Sequence, residues 1–197
     1  MKRLVDLVVA LVLALPVLAF VAILSLLIWA IDGYSPFFPQ RRLGKNGRMF
    51  TCYKLQTMRP AKDMSEHGVR EKDADRTTPL GAFIRNHGWD ELPQIVNVIK
   101  GTMSFVGPRP LLAKTYERIR EKNCEIASRV DAWQSLREEV RSGVSGWHQV
   151  QIGKRVSMID CDLEYLQRPT LSMRTRIVLT TIAVFFLGKA HYAHQAG

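Results

Sequence analysis

The stretch MKRLVDLVVALVLALPVLAFVAILSLLIWAID, residues 1–32, organises the whole chain. No charged residue interrupts it between Leu7 and Ile31, and a helix of that length can cross the apolar core of a bilayer. The run is longer than the apolar core of a secretory signal peptide, and no convincing small-residue cleavage site follows it. The sequence therefore predicts a membrane segment over residues 1–32, followed by a globular domain over residues 33–197.

The path of this segment through the membrane has two interpretations. Pro16, near its middle, removes one helical hydrogen bond and bends the helix. Basic residues, which favour the cytoplasmic side, flank both of its ends: Lys2, Arg3, Arg41, Arg42, Lys45 and Arg48. A re-entrant helix that bends at Pro16 and returns to the same face satisfies both flanks. A kinked spanning helix is the alternative, since prolines are tolerated in spanning helices.

The composition of the chain points to an anionic partner. Lys and Arg number 28 against 18 Asp and Glu, a formal charge of +10, which suits nucleic acid, a phosphorylated substrate or acidic lipid. No nucleic-acid motif or basic-aromatic interleaving accompanies the charge, so nucleic acid is not predicted as a partner. Cys52, Cys124 and Cys161 form no CxxC pair, which favours reduced thiols in a cytosolic compartment over a zinc site or disulfides.

The remainder of the chain predicts a mixed α/β fold that is mainly helical. It forms a single globular domain on the re-entrant helix, with interfacial amphipathic helices. The turn residues of GKNGRMFTCYKL, residues 44–55, indicate a hairpin. Residues 63–77 are predicted as a loop, and helices are predicted over 78–87, about 90–99, and about 114–140. The apolar run at 176–188 is too short to span a bilayer and suits a helix on the membrane face or in the core.

A pair of adjacent acids stands out in RNHGWDELPQIVNVIKG, residues 85–101. If the helix cap lies between Gly88 and Asp90, then Asp90 and Glu91 fall in the first turn, where free amides and the helix dipole favour ionised carboxylates. Adjacent carboxylates can hold magnesium together with phosphate oxygens, and a carboxylate can attack phosphorus. Ordinary helix capping explains the same spacing, so the pair alone does not decide between structure and catalysis.

Two arginines are candidate phosphate contacts. Arg85 lies five residues before Asp90, and Arg109 stands between the prolines of GPRP, residues 107–110. A guanidinium group binds phosphate through two parallel hydrogen bonds, and flanking prolines stiffen a loop. A lone arginine is more often a solvated surface residue, and the chain contains no P-loop, GxGxxG or zinc-type spacing.

Longer motifs carry a resemblance to a known family. They are KRLVD at 2–6, SPFFPQRRLGKNGRMFTCYKLQTM at 35–58, DADRTTPLGAFIRNHGWDELPQIVNVIKGTMSFVGPRPLL at 73–112, GVSGWHQV at 143–150 and DLEYLQRPTLSMRTRIVLTT at 162–181. Together these resemble a monotopic phosphoglycosyl transferase of the bacterial sugar transferase family, in its minimal form. The resemblance runs along almost the whole chain.

The resemblance implies transfer of a phospho-sugar from a UDP-sugar to undecaprenyl phosphate at the cytoplasmic face of the bacterial inner membrane. UMP is released, and an aspartyl-phosphosugar forms on the way. The implied nucleophile and magnesium ligand is Asp90, and Glu91 assists with metal or proton. The other implied substrate contacts are Arg85, Lys54, Arg109 at the uridine end and its neighbour Pro108. A re-entrant helix broken at Pro16 is also implied.

The chain departs from the family pattern at several positions. Gly88-Trp89 precedes the acid pair where relatives commonly have Ser-Leu, so the side-chain cap is lost. An arginine usual near Lys54 is absent, and Arg174 stands where an acid is frequent. A non-catalytic basic module bound to acidic membrane lipid is the alternative function. Release of UMP from a UDP-sugar would distinguish the two.

Overall fold

The computed structural model describes residues 2–60, 76–122, 124–152, 154 and 156–191. The loop predicted at 63–77 therefore lies almost entirely outside the described residues. The described chain resumes at Arg76, whose carbonyl accepts a hydrogen bond from the Arg59 amide at 2.8 Å.

The described part of the chain is mainly helical, with two small two-stranded sheets. In chain order its elements are α1 (Lys2–Leu27), β1 (Phe37–Leu43), β2 (Met49–Leu55), α2 (Pro79–Asn86), α3 (Ile95–Lys100), β3 (Met103–Val106), α4 (Ala113–Lys122), α5 (Ala127–Glu138), β4 (Ser142–Ser145), α6 (Met158–Gln167) and α7 (Leu171–Leu187). A π-helical turn at Ile28–Asp32 and 3-10 turns at Lys45–Gly47, Trp89–Gln94 and Cys124–Ile126 join them. The mixed, mainly helical fold class is confirmed.

Helix α1 is apolar enough to be a membrane segment. A few of its side chains pack on the globular domain, and most of its large apolar side chains are exposed. Within the described residues, the helical stretch Lys2–Asp32 alone is long and apolar enough to cross a bilayer. Ala10 joins a core with Phe50, and Val21 joins a second core with Ile84. The helix continues through Pro16 without interruption, so the predicted re-entrant bend stays a prediction.

The polar start of α1 is fastened to the domain by hydrogen bonds. Lys2 donates to the Val106 carbonyl at 2.8 Å, and Arg3 donates to the Val98 and Ile99 carbonyls at 2.5 and 2.9 Å. Buried Asp6 accepts from the Ser104 hydroxyl at 2.8 Å. The Arg3 bonds supply donors to two carbonyls at the end of α3, of which the Val98 carbonyl also accepts from the Gly101 amide.

The predicted hairpin is confirmed as the antiparallel pair β1–β2, although its first strand begins earlier than expected, at Phe37. Asn97, buried on α3, ties the hairpin to the helix. Its Nδ2 donates to the Thr51 carbonyl at 2.7 Å, and its Oδ1 accepts from the Tyr53 amide at 3.1 Å. Strand β2 is thereby held beside the segment that carries the acid pair.

The single helix predicted over 114–140 is wrong. The structure has two helices, α4 and α5, that pack against each other. The Tyr116 hydroxyl donates to Asp131 Oδ1 at 2.7 Å, whereas on one continuous helix these residues would be about 22 Å apart along the axis. Buried Val130 and Trp133 form a core with Leu111, and burying that core requires the chain to fold back.

Strands β3 and β4 pair in parallel, a feature that sequence patterning missed because each strand is only four residues long. Glycines let the chain come very close to itself at their ends. A Cβ at Gly143 would lie 2.2 Å from the Gly107 amide nitrogen, so no larger residue fits there. This close approach positions the segment that follows β3, which carries Arg109.

Helix α7 has a core-facing stripe that includes Met173 and Ile177, and an opposite face that is also apolar. Exposed on that face are Leu171, Val178, Leu179, Ile182, Phe186 and Leu187. An apolar face of this size that meets water in a soluble protein is unfavourable. The pattern agrees with the predicted helix at the membrane face, while its depth in a bilayer stays a prediction.

Candidate active site

The acid pair lies in the first turn of a 3-10 helix, as the cap argument predicted. Helix α2 begins at its cap Thr78, whose side chain accepts from the Gly81 amide at 2.9 Å, and the chain then turns at Gly88, with φ 69°. Gly88 caps the Trp89–Gln94 turn without a side-chain hydrogen bond. The α-helix expected over about 90–99 starts only at Ile95, because Pro93 lacks the amide needed for an α-helical bond.

Glu91 is the centre of an ion-pair cluster. Its Oε1 lies 2.6 Å from Lys54 Nζ and 2.8 Å from Arg109 Nη2, and its side chain is 15% exposed. Burial acts to raise the pKa of Glu91, but the charges and hydrogen bonds of Arg109 and Lys54 lower that pKa to about 2. Glu91 is therefore ionised at neutral pH and holds two cations that come from other elements of the fold.

Asp90 has a different environment from its neighbour. Its carboxylate makes no hydrogen bond or ion pair within the described part of the chain. Burial and the negative charge of Glu91 raise the pKa of Asp90, whereas Lys54, Lys189 and Arg85 act to lower it. The sequence predicted one electrostatic state for both acids, and the structure instead shifts their pKa values in opposite directions.

The loop that carries Arg109 is held at five consecutive residues. The Gly107 amide donates to the Ser145 carbonyl at 3.0 Å, and the Pro108 carbonyl accepts from the Gly143 amide at 2.9 Å. The carbonyls of residues 109, 110 and 111 accept from the Arg137 side chain, the Arg42 side chain (2.9 Å) and the Leu43 amide (2.8 Å), respectively. The Arg109 side chain therefore projects from a main chain with little freedom.

Arg137 belongs to a buried pair beneath this loop. Its side chain forms an ion pair with Asp162 of α6, and the exposed fractions of the two side chains are only 6% and 3%. Trp133 donates its indole N–H to the same carboxylate at 3.2 Å, and the Arg137 guanidinium lies over the Trp133 ring at 4.8 Å. Helices α5 and α6 thus meet at the Arg137–Asp162 ion pair. A further N–H of Arg137 donates to the Arg109 carbonyl.

Arg42 completes the positive lining of the site. It lines a small recess together with Lys54, Glu91, Gln94 and Arg109. Sequence reasoning counted Arg42 only as a flanking charge, and the alternating strand pattern around it held no signal for a site. The recess gathers three cations around the single negative charge of Glu91 and has essentially no free volume, so its excess positive charge would attract an anion to the surface rather than enclose it.

Trp89 packs between three helices. Its ring is 5.0 Å from Phe20 of α1, 5.4 Å from Phe83 of α2 and 5.8 Å from Phe185 of α7. Its indole N–H donates to the Phe185 carbonyl at 3.0 Å. The edge-to-face contacts with Phe20 and Phe83 stabilise the cluster beyond simple burial, so Trp89 anchors the turn that carries the acid pair to the neighbouring helices.

The structure brings most of the predicted site residues together. Asp90, Glu91, Lys54 and Arg109 lie in one cluster, and Arg85 is exposed at the end of α2, close enough to act on the Asp90 charge. Pro108 is fully buried and contributes to the loop rather than presenting a surface. Arg174 lies on α7, where its charge acts to lower the pKa of Tyr165, which burial raises. Cys52 and Cys161 are free and buried, and no group of three or more metal-type side chains occurs among the described residues.

The sequence profile of the bacterial sugar transferase family matches residues 1–188. The chain belongs to this family. It is 34% identical over 189 residues to the uncharacterized sugar transferase EpsL of Bacillus subtilis, covering 92% of this chain and 85% of that protein.

Two further relatives have named activities. The UDP-glucose:undecaprenyl-phosphate glucose-1-phosphate transferase of Caulobacter vibrioides is 34% identical over 186 residues, covering 92% of this chain and 68% of that protein. The enzyme with the same name from Xanthomonas campestris pv. campestris is 36% identical over 165 residues, covering 78% of this chain. This chain's match spans only 32% of the length of the Xanthomonas protein.

Proposed function

We propose that the protein transfers a phospho-sugar from a UDP-sugar to undecaprenyl phosphate, giving undecaprenyl-diphosphate-sugar and UMP. The observation that carries the proposal is the unpartnered Asp90 carboxylate beside an anchored cationic recess. The names of the relatives from Caulobacter and Xanthomonas support the two substrates. A module that only binds acidic lipid would need the positive charge but not the isolated carboxylate.

Asp90 is the nucleophile in this scheme. A carboxylate oxygen attacks the phosphorus that bears the sugar, a new P–O bond forms, and the bond to the UMP oxygen breaks with its electron pair. The phospho-sugar is then carried on Asp90 until the acceptor phosphate removes it. Because Asp90 makes no competing hydrogen bond, its oxygens are available for this attack.

The cationic recess lowers the electrostatic cost of bringing a diphosphate to a carboxylate. Lys54 and Arg109 are held in place by Glu91, and Arg42 adds a third charge. Such preorganised charges stabilise the charge that develops on the phosphoryl oxygens in the transition state. Arg109, on its fixed loop, contacts the uridine-phosphate end, and Glu91 acts through the two cations that it positions.

The donor set also fits a magnesium ion. Among the described residues there is no group of three or more His, Cys, Asp or Glu side chains that could hold a metal ion. Magnesium, however, needs only one or two carboxylates when phosphate oxygens and waters complete its coordination shell. Asp90 and the second oxygen of Glu91 would hold it. When bound, the ion neutralises phosphate charge and activates the phosphorus as an electrophile.

The membrane segment is re-entrant in this proposal, and the globular domain lies on the cytoplasmic face. Lys2 and Arg3 at the start of α1 bond to β3 and α3, while Ile28 near its end packs in the core that contains Ile84. Both ends of the segment therefore contact one domain. A straight span would carry one of its ends about 30 Å across the bilayer, away from that domain.

Intact-protein mass spectrometry after mixing with a panel of UDP-sugars, without lipid acceptor, tests the chemistry. We expect one UDP-sugar to give a phospho-sugar adduct mapped to Asp90 and a matching release of UMP, both dependent on magnesium. Asp90→Asn keeps the shape and removes the charge, so it should abolish both.

Asp131→Asn is the matched control, since Asp131 is an exposed aspartate paired with Arg120, and it should leave adduct and turnover intact. An adduct on another residue, or near-normal turnover by Asp90→Asn, would contradict the nucleophile assignment. Absence of UMP release with every UDP-sugar would favour the lipid-binding module.

A further inference from the structure

Gln94 places a buried amide in the wall of the cationic recess. Its side chain is only 2% exposed, and it lines the recess beside Arg42, Lys54 and Arg109. Within the described part of the chain, the amide makes no hydrogen bond. Buried polar groups in folded proteins are nearly always paired, and an unpaired one destabilises the fold. Gln94 therefore holds unused hydrogen-bonding capacity inside the site.

The 3-10 turn Trp89–Gln94 explains why this amide faces the recess. A 3-10 helix has three residues per turn, so the side chains of Glu91 and Gln94 eclipse each other, about 6 Å apart along the axis. Asp90 points about 120° away from that face. Gln94 thus shares a face with the ion-pair cluster on Glu91 without taking part in it.

The other polar side chains of the recess already have partners. Arg42 donates to Gln40 Oε1 from two nitrogens and to the Pro110 carbonyl from a third. The two remaining cations are ion-paired with Glu91. Among the described residues that line the recess, Gln94 is the polar side chain that folding leaves uncommitted, which is expected of a group whose partner is a ligand.

A ligand can reach the Gln94 amide from the mouth of the recess. Gln94 is not among the described residues whose polar side-chain atoms are both fully enclosed and unpartnered. Since its amide makes no bond, the amide must keep a small contact with the surface. The recess has essentially no free volume, but the Arg109 side chain is 38% exposed against 14% for Lys54. Outward rotation of Arg109 would uncover more of the amide.

The chemistry of an amide selects one part of a nucleotide sugar. The amide offers a donor and an acceptor side by side. Phosphate oxygens offer acceptors alone, and a single hydroxyl meets one half of the amide at a time. The imide edge of uracil presents its N3–H next to a carbonyl oxygen, which complements both halves. Arg109 contacts the uridine-phosphate end in the proposed function, and Gln94 shares its recess.

We infer that Gln94 binds the uracil imide edge of the nucleotide donor, while the cations of the recess bind its phosphates. This inference rests on the proposed function. It makes Gln94 a specificity-determining residue, because a site that leaves an amide unpaired discriminates strongly against ligands that lack the matching groups. The acceptor lipid carries no such group, so its binding should not depend on Gln94.

Direct binding of UMP, measured by titration calorimetry in detergent, tests the inference without turnover. Gln94→Met keeps the approximate volume and removes the amide. Because the amide has no partner in the fold, we expect the Tm of this variant to stay unchanged or rise. Its Kd for UMP and its KM for UDP-sugar should rise about tenfold, with the acceptor KM unchanged. Gln167→Met, an exposed position at the end of α6, is the control and should alter none of these.

N3-methyl-UMP identifies the contact, since its base has no N3–H to donate. Wild-type protein and Gln94→Met should bind this analogue with equal affinity. An unchanged Kd for UMP in Gln94→Met, or a tenfold difference that persists with the analogue, would overturn the inference. A lowered Tm with equal rises in donor and acceptor KM would overturn it too, because Gln94 would then be structural. If UMP binding depends on Gln94 but no UDP-sugar gives an adduct, the proposed function fails and the nucleotide contact stands.

Discussion

The buried pair Arg137–Asp162 offers a quantitative test of how the Arg109 loop is held. Both side chains are almost fully buried, so removing one charge leaves the other without a partner in a poorly solvated place. Such changes cost about 3–5 kcal/mol. For a chain of this size that corresponds to a fall in Tm of roughly 6–20 °C, which we expect for Arg137→Met and for Asp162→Leu alone.

The double variant Arg137→Met/Asp162→Leu should be more stable than either single variant, because no buried charge is left uncompensated. It still loses the acceptor of the Trp133 N–H and the donor to the Arg109 carbonyl, so we expect a residual cost of about 2 kcal/mol. Thermal unfolding of the four proteins in detergent measures the coupling energy. Arg120→Met, which breaks an exposed pair, is the control and should change the Tm little.

The same variants should affect nucleotide use separately from stability. Without Arg137 the carbonyl of Arg109 loses its donor, and the Arg109 side chain gains freedom. The KM for UDP-sugar should therefore rise severalfold in Arg137→Met and in the double variant, measured well below their Tm, with a smaller effect on the acceptor KM. Additive stability losses in the double variant would refute the coupling, and an unchanged donor KM would refute the role in holding the loop.

Three further predictions concern the site and the membrane segment. Arg109→Ala should raise the KM for UDP-sugar and leave folding and membrane insertion intact, and unchanged kinetics would return Arg109 to the class of ordinary surface charges. Because the pKa of Glu91 is lowered from 4.5 to about 2, its contribution to stability is present above its unfolded pKa. It is lost as the pH falls towards 2, so acid unfolding of Glu91→Gln should depend less on pH in that window. Single-cysteine variants at the two termini should be labelled only from the cytoplasmic side. Replacing Pro16 by Leu should straighten the helix and shift some molecules to a true span. Labelling of the N-terminal cysteine from the periplasm, with Pro16 unchanged, would contradict the re-entrant path.

Local features of the fold could be predicted because they depend on neighbouring residues. A Thr-Pro pair such as Thr78-Pro79 favours a helix start when helix-spaced apolar residues follow it. Gly88 lies just after the end of that helix and caps the next turn. The same local rules put Asp90 and Glu91 in a first turn, and the uncharged run after Asp6 indicated a membrane segment. The parallel pair β3–β4 and the break between α4 and α5 were missed, since short strands and a chain reversal leave little periodic signal.

The sequence by itself determined the apolar segment, the order of most helices, and the motif around the acid pair from which the family resemblance was seen. Only the tertiary structure decided that Lys54 and Arg109 meet on Glu91, and that Arg137 and Asp162 hold the Arg109 loop. It also decided that the end of α7 docks on α2 and on the turn that carries the acid pair. These contacts join residues far apart in the chain. The opposite pKa shifts of two adjacent carboxylates likewise depend on burial and on charges brought in from other elements, and neither quantity can be obtained from the order of residues.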